Sequence, residues 1–526
     1  MSVHPVLVGG EWISSIGTKT FQAINPATNE ALPGDYPVSP WAEIERAIQA
    51  AAAASKEMHG WSGERFAAFL ERYAERIEAR KSDLVQQAHL ETALPAEGRL
   101  GNTELPRTIN QLKAAAAAAR SESWRCPTID SKLNIRAQFA AIGPVVVFGP
   151  NNFPYAFNGI SGGDFAAAVA AGNPVIAKAH PSHPGTSRIF AEEALEAARE
   201  TGMPAGMVQL IYRTEHADGA KLVSHPLIGA TGYTGGRHTG LVLKEAADKV
   251  GKPIYLELSS INPVVILPGA FAERGEKLAD EFTSSCLMGT GQFCTNPGLV
   301  LFLKSAAAGQ FRDQVQQKFA AAPVGTLLGP SVAKSLEQGV KTLAAHGATI
   351  LTGGQAGGGK GASFQNTLLS TTAAQFLSDP EALQTEAFGN ATLFVECESP
   401  DQLVEVLEAL EGNLTGCVYS DSNGADDALY QKIVPALRQR VGRLLNDKMP
   451  TGVAVSPAMN HGGPFPATGH PGFTAVGIPA AIHRFGMLQS YDNVRESRLP
   501  CTLKNKNPGG VWRNIDGVWT LNDVQV

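Results

Sequence analysis

The stretch from Pro144 to Ser260 alternates between two kinds of segment, and this alternation most constrains the fold. The short apolar runs PVVVFGP, PVIAKAHP, MVQLIY and IYLELSS have the length and β-branched content of buried strands. Between them lie helical signatures. SGGDFAAAVAAG is a small-residue helix stopping at Gly172, and SRIFAEEALEAARETG is amphipathic and stops at Gly202. GATGYTGG runs as a strand end into a helix over 237–250. Strands that are apolar on both faces and separated by helices imply an α/β fold: an open parallel sheet with helices on both sides.

A second alternation follows, through PVVILPGA, a helix over 271–288, a cysteine-bearing segment, LVLFLKS, a helix near 309–320 and GATILTGG. It is enough for a second α/β domain. The 526 residues allow about three domains at roughly 150 residues each. Residues 41–120 carry apolar side chains at three- and four-residue spacing and read as helices. GGQAGGGKGAS, over 353–363, reads as a flexible insertion. The segment from Arg484 onward is too thin for a domain, and an edge strand or an intersubunit arm is expected there.

Several function classes are set aside by composition. A net charge of -6 offers no basic field for nucleic acid or for an anionic membrane surface. No run approaches the length of a membrane-spanning helix. The opening MSVHPVLVGGEW has no basic stretch followed by an apolar one, and the six cysteines include no Cys-x-x-Cys pair. Free thiols in a reducing cytoplasm are expected.

Two phosphate-like patterns fail on inspection. Gly354 to Lys360 matches G-x-x-x-x-G-K, but Gly361 stands where Ser or Thr would hold magnesium. Gly289-x-Gly291 follows a helix instead of a strand, and Cys294 breaks its pattern. His180 and His183 lie between Pro181 and Pro184 with no third ligand nearby, so a structural loop is expected and no metal site.

Three residues carry possible chemistry. Cys294, in GTGQFCTNPG, is either a packing cysteine or a nucleophile. Its flanking glycines would let the backbone approach a ligand closely. No histidine stands in an evident partner motif. Glu257 sits within IYLELSS, where burial would raise its pKa toward that of a neutral-pH base, or where it shares a solvated strand face with Tyr255 and Ser259. Asn152, in FGPNNFPYAF, follows a strand end, where open α/β sheets contact ligands, or serves as turn chemistry before a proline.

FGPNNFP, PVIAKAHP, GYTGG, LELSS, GTGQFCTNPG and TEAFGN stand in the order and at the spacings of the aldehyde dehydrogenase superfamily, and VGGEW and INPATNE resemble its opening. The resemblance covers nearly the whole chain. KAHPSHPGTS, GQFCTNPG and MNHGGPFPATGHPGFTAVG resemble the branch holding 2,5-dioxopentanoate (α-ketoglutaric semialdehyde) dehydrogenases and a bacterial fatty-aldehyde dehydrogenase.

The resemblance implies two open-sheet domains, with cofactor binding over 1–125 and 143–257, catalysis over 258–463, and an oligomerisation arm from 126–142 and 490–526. It implies an NAD(P)-dependent oxidation of an aldehyde through a cysteine thioester, in a homodimer or homotetramer. In that scheme Cys294 is the nucleophile, Glu257 activates the deacylating water, and Asn152 holds the oxyanion together with the Cys294 backbone N–H. Lys178 binds the adenosine ribose, Gly236 starts the helix beside the pyrophosphate, and Glu386 and Phe388 surround the nicotinamide ribose and ring.

Two departures stand out. The base motif reads Glu257-Leu258-Ser259-Ser260, with serines replacing two glycines, which would restrict or hydrogen-bond Glu257. Pro181 occupies the position of the glutamate that chelates the ribose in NAD-preferring members. Without that carboxylate a 2′-phosphate meets no repulsion, and Lys178 and Arg213 are placed to pair with it, so NADP is expected to be preferred and NAD possible. Phe157, Phe465 and Phe473 are candidates for the substrate tunnel, and nothing in the sequence shows which arginine would meet a substrate carboxylate.

Overall fold

In the computed structural model, which describes residues 3–525, the first alternation forms a seven-stranded sheet. Its strand order is 254–257, 230–234, 145–148, 175–178, 208–211, 6–8, 11–13. The first five strands are parallel, and the N-terminal pair adds an antiparallel edge. The strand Val145–Phe148 shows why its run is apolar throughout. Val145 and Val147 enter the core shared with helices Gly63–Ala79, Gly163–Ala170 and Pro184–Glu200. Val146 and Phe148 enter the opposite core, against Trp41–Glu57 and Arg237–Asp248. Each such side chain contributes about 1.5–3 kcal/mol by burial, so neither face tolerates a polar residue.

The chain runs outward from 145–148 to 208–211, then returns to 230–234 on the other side. This reversal opens a crevice at the C-terminal strand ends, where ligands bind in open α/β sheets.

The second sheet has the order 349–352, 367–372, 391–397, 299–303, 264–266, 413–419, 441–446. It too is buried on both faces, with Val264 and Ile266 in one core and Val265 in the other. A third sheet joins 486–492, 135–141, 128–130, 513–515 and 518–520. Gly486–Asp492 pairs with Ile135–Ala141 along its whole length, so this arm begins ahead of residue 490.

The 353–363 segment is anchored at its C-terminal end. Its Ala362 and Ser363 are buried, Ala362 bonds Pro26 and Leu327 through the backbone, and a Cβ on Gly361 would strike the Pro26 carbonyl. Its glycines permit close packing. Among the described residues no helix is long and apolar enough to cross a membrane.

Candidate active site

Cys294 lies between the helix Pro268–Leu287 and the strand Leu299–Leu303. The turn before it takes left-handed backbone at Gly289, Thr290 and Gly291. A Cβ on Gly291 would lie 2.1 Å from the Gly389 carbonyl oxygen. That glycine thus serves an approach to the Phe388–Gly389 segment, and not to a ligand as expected. Buried Asn262, with φ of 48°, clamps the loop by donating to the carbonyls of Cys294 and Asn296, both at 2.9 Å. The half-buried thiol packs against an apolar cluster of Phe153, Phe157 and Phe473. Phe293 meets Phe153 edge-on in the same wall. Phe465, expected in this wall, is 66% exposed and lies outside it.

The thiol does have a histidine partner. His461 Nε2 is 3.3 Å from Cys294 Sγ and 2.9 Å from Glu257 Oε1. Sequence reading missed it because it lies 167 positions from the cysteine, in no motif that joins the two. The signal was present in MNHGGPFPATGHPGFTAVG, which marked a branch but suggested no chemistry. Glu257 ends its strand, and the backbone of Ala467 and Thr468 covers that end. The carboxyl is therefore buried beside His461, its Oε2 has no hydrogen-bond partner, and the solvated-face alternative is ruled out.

One nitrogen thus faces both a thiol and a carboxyl. It cannot accept from the first and donate to the second with two separate protons. The three groups are close enough to pass one proton along the line from thiol to imidazole to carboxyl. Burial pushes the Cys294 thiol well above its usual range, Glu257 adds to the rise, and Arg107 opposes it. A thiol in this setting needs a proton acceptor to become a nucleophile, and His461 Nε2 is within reach of it.

Ser259 and Ser260 do not hydrogen-bond Glu257, contrary to expectation. The Ser259 hydroxyl faces the Glu386 carboxyl. The Ser260 hydroxyl lies 2.9 Å from Asn262 Oδ1 and 3.1 Å from Asn413 Oδ1. The serines brace the Glu386 carboxyl and the Asn262 clamp on the cysteine loop.

Asn152 follows the strand Val145–Phe148 and donates through Nδ2 to the Gln292 carbonyl at 3.1 Å. Its own carbonyl accepts from Arg99 at 3.2 Å, and Arg99 pairs with Glu104. Glu104 in turn accepts the Tyr155 and Ala156 N–H groups at 2.9 and 3.0 Å. The loop is held from below, and its amide sits beside the cysteine segment. The Cys294 backbone N–H has no partner among the described residues. The second Nδ2 hydrogen of Asn152 and the unpaired Cys294 N–H are donors suited to an oxyanion.

The crevice beside this site fits a dinucleotide. Gly236 caps the helix Arg237–Asp248, and no atom lies within 4 Å of where its Cβ would be, so the positive helix end opens into free space. Lys178 ends its strand, and burial with the neighbouring Arg213 charge pushes its ammonium down to about 8. Pro181 lies in the loop just after it, and no side-chain carboxylate pairs with Lys178 or Arg213 among the described residues. A cavity of about 570 Å³ runs between Arg237, Ser259, Glu386 and Glu411, and Arg237 pairs with Glu411 across it. Burial raises Glu386 to about 7. Phe388 lines an adjoining cavity with Gly291 and Phe293. A bound nicotinamide dinucleotide would thus meet an anion-binding helix end, two cations and a ribose-side carboxyl.

His180 and His183 stack on each other, and His183 bonds the Pro150 carbonyl at 2.9 Å. Among the described residues the one cluster with metal-ligand geometry is Glu257, Cys294 and His461, whose atoms already engage one another.

Comparison with known proteins gives the same reading. Residues 12–456 match the model of the aldehyde dehydrogenase family. Alpha-ketoglutaric semialdehyde dehydrogenase 2 of Azospirillum brasilense is 38% identical over 97% of this chain and 98% of its own. Alpha-ketoglutaric semialdehyde dehydrogenase of Acinetobacter baylyi is 36% identical over 91% and 92%. The NAD+ complex of aldehyde dehydrogenase from Bacillus cereus has the same fold, with a TM-score of 0.80 at 20% identity over 93% and 96%. The chain belongs to the aldehyde dehydrogenase family and is an NAD(P)-dependent oxidoreductase of small-molecule aldehydes.

Proposed function

We propose that the enzyme oxidises 2,5-dioxopentanoate to 2-oxoglutarate, prefers NADP, and works in the cytoplasm as a homodimer or homotetramer. The substrate reading is supported by the two semialdehyde dehydrogenases that match over at least 91% of the chain. The chemistry rests on one observation, the contact of Cys294, His461 and Glu257 beside Asn152.

Cys294 loses its proton to His461 Nε2, 3.3 Å away, and Sγ attacks the aldehyde carbon. The carbonyl electrons move to oxygen, which the Asn152 amide and the Cys294 N–H stabilise, at about 3–4 kcal/mol per donor. When bound, the nicotinamide supplies the hydride acceptor that turns the thiohemiacetal into a thioester. Glu257 then removes a proton from water, which attacks the thioester carbon. The carboxylic acid leaves and the thiol is restored.

The NADP preference is supported by Pro181 and by the adjacent Lys178 and Arg213 charges. An oligomer is supported by exposed apolar side chains on the arm, with Leu488 at 63%, Val518 at 64% and Trp519 at 51% exposure. Light scattering would then give two or four times 55.4 kDa.

The mouth of the site favours one rival reading, a medium- or long-chain aldehyde dehydrogenase. Met288 and Val455 line it and are exposed. A non-catalytic homologue is disfavoured by the intact thiol, base and amide. Comparing kcat/KM for 2,5-dioxopentanoate and decanal, each with NADP and NAD, separates these readings. We expect the semialdehyde with NADP to lead by at least about tenfold, a difference of about 1.4 kcal/mol in transition-state binding. A tenfold lead for decanal overturns the substrate, and a strong NAD preference overturns the cofactor.

A further inference from the structure

A cavity of about 820 Å³ reaches Phe293, the neighbour of Cys294, and is walled by residues between 95 and 110, Phe153, Met288–Gly289 and Gly452–Val455. Two arginines line it. Arg99 is spent on Glu104 and on the Asn152 carbonyl. Arg107, in the first turn of the helix Leu105–Ser121, is not. Its Nε donates weakly to Gln111 at 3.3 Å, and its buried Nη2 has no partner. No carboxylate pairs with it among the described residues. Arg443, also near the thiol, gives both terminal nitrogens to the carbonyls of Pro450 and Gly452.

The Arg107 guanidinium stands 5.7 Å from the Phe153 ring and 5.5 Å from the Phe157 ring, both members of the cluster that Cys294 packs against. Its charge reaches the reacting sulfur, since it draws the thiol pKa down. A guanidinium desolvated between aromatic faces, with donors unused, lacks an anion.

We propose that Arg107 is the subsite for the carboxylate of the substrate, binding it through its guanidinium fork. The inference rests on the oxo-carboxylate reading above. In 2,5-dioxopentanoate four C–C bonds of about 1.5 Å separate the aldehyde carbon from the carboxylate carbon, which therefore lie about 5 Å apart when extended. A ligand held at Cys294 would project past the aromatic cluster that packs against the thiol, toward the cavity that Arg107 lines. The 2-oxo group would lie between Cys294 and Arg107.

The test compares Arg107→Gln and Arg107→Lys with the wild type on 2,5-dioxopentanoate and on pentanal, which has the same length without the charge. The readout is the ratio of the two kcat/KM values. Arg107→Gln should lower that ratio about 100-fold, mainly through KM for the semialdehyde. Arg107→Lys, which keeps the charge and loses the fork, should lower it about tenfold. An unchanged NADP Kd shows that the variants fold. If both substrates lose the same factor, the carboxylate subsite is refuted and Arg107 acts on the thiol alone. If the wild type itself does not favour 2,5-dioxopentanoate over pentanal, the substrate reading fails, and the subsite with it.

Discussion

Cys294→Ala is expected to reduce aldehyde-dependent NADPH formation to background, a fall on the order of 10⁴-fold or more in kcat. No other thiol can substitute. Cys286, eight positions earlier in sequence, is buried and pushed up to about 12, with its sulfur directed at the Pro297 carbonyl 3.9 Å away. Cys397 and Cys417 are packing residues in the second sheet. The substitution removes one half-buried atom, so the fold should persist, and NADP binding followed by fluorescence should be unchanged. Retention of even a tenth of the wild-type rate would dismiss the thioester route and the roles assigned to the groups around Cys294.

The second expectation separates the two partners of the thiol. Glu257→Gln should keep a rapid first turnover and lose the following ones, because the carboxylate is needed for water attack on the thioester. Its steady-state rate should fall about 10²–10⁴-fold while a burst of about one NADPH per site remains. His461→Gln should instead slow the burst itself. With the thiol raised well above its usual range by burial and by Glu257, its anionic fraction falls tenfold for each pH unit below its pKa. In His461→Gln the burst rate should therefore climb toward tenfold per unit from pH 7 to 9, and the wild-type profile should be flatter. Single-turnover stopped-flow across this range measures both. Equal burst losses in the two variants would mean that His461 and Glu257 act as one unit, and the division of labour would be abandoned.

What can be read in this chain depends on the range of the interaction. Cys294, Glu257 and Asn152 stand in short segments whose glycines, prolines and apolar neighbours mark them, and all three lie at the site. The VVVF run implied burial on both faces, because successive strand residues point to opposite sides. His461 carried no such mark, since its meaning lies in a contact across 204 positions to Glu257. The glycines around Cys294 were read as making room for a ligand, when Gly291 makes room for Gly389. Phe465 had the right chemistry for the tunnel but an exposed position, and Phe153 and Phe293 form the wall instead. Serines 259 and 260 were placed beside Glu257 by adjacency, yet alternation along the chain sends their hydroxyls to Glu386, Asn262 and Asn413.

The sequence by itself determined two α/β sheets, the strand end that carries Asn152, and the thiol and carboxylate as candidates for chemistry. These follow from side-chain period, helix stops and turn chemistry, all of which act within a few residues. Only the tertiary structure decided that His461 joins Cys294 to Glu257 and that Arg107 is left with an unpaired donor. Proton transfer and ion pairing depend on separations of about 3 Å between groups far apart in the chain, and these exist only once the sheets and covering loops have packed.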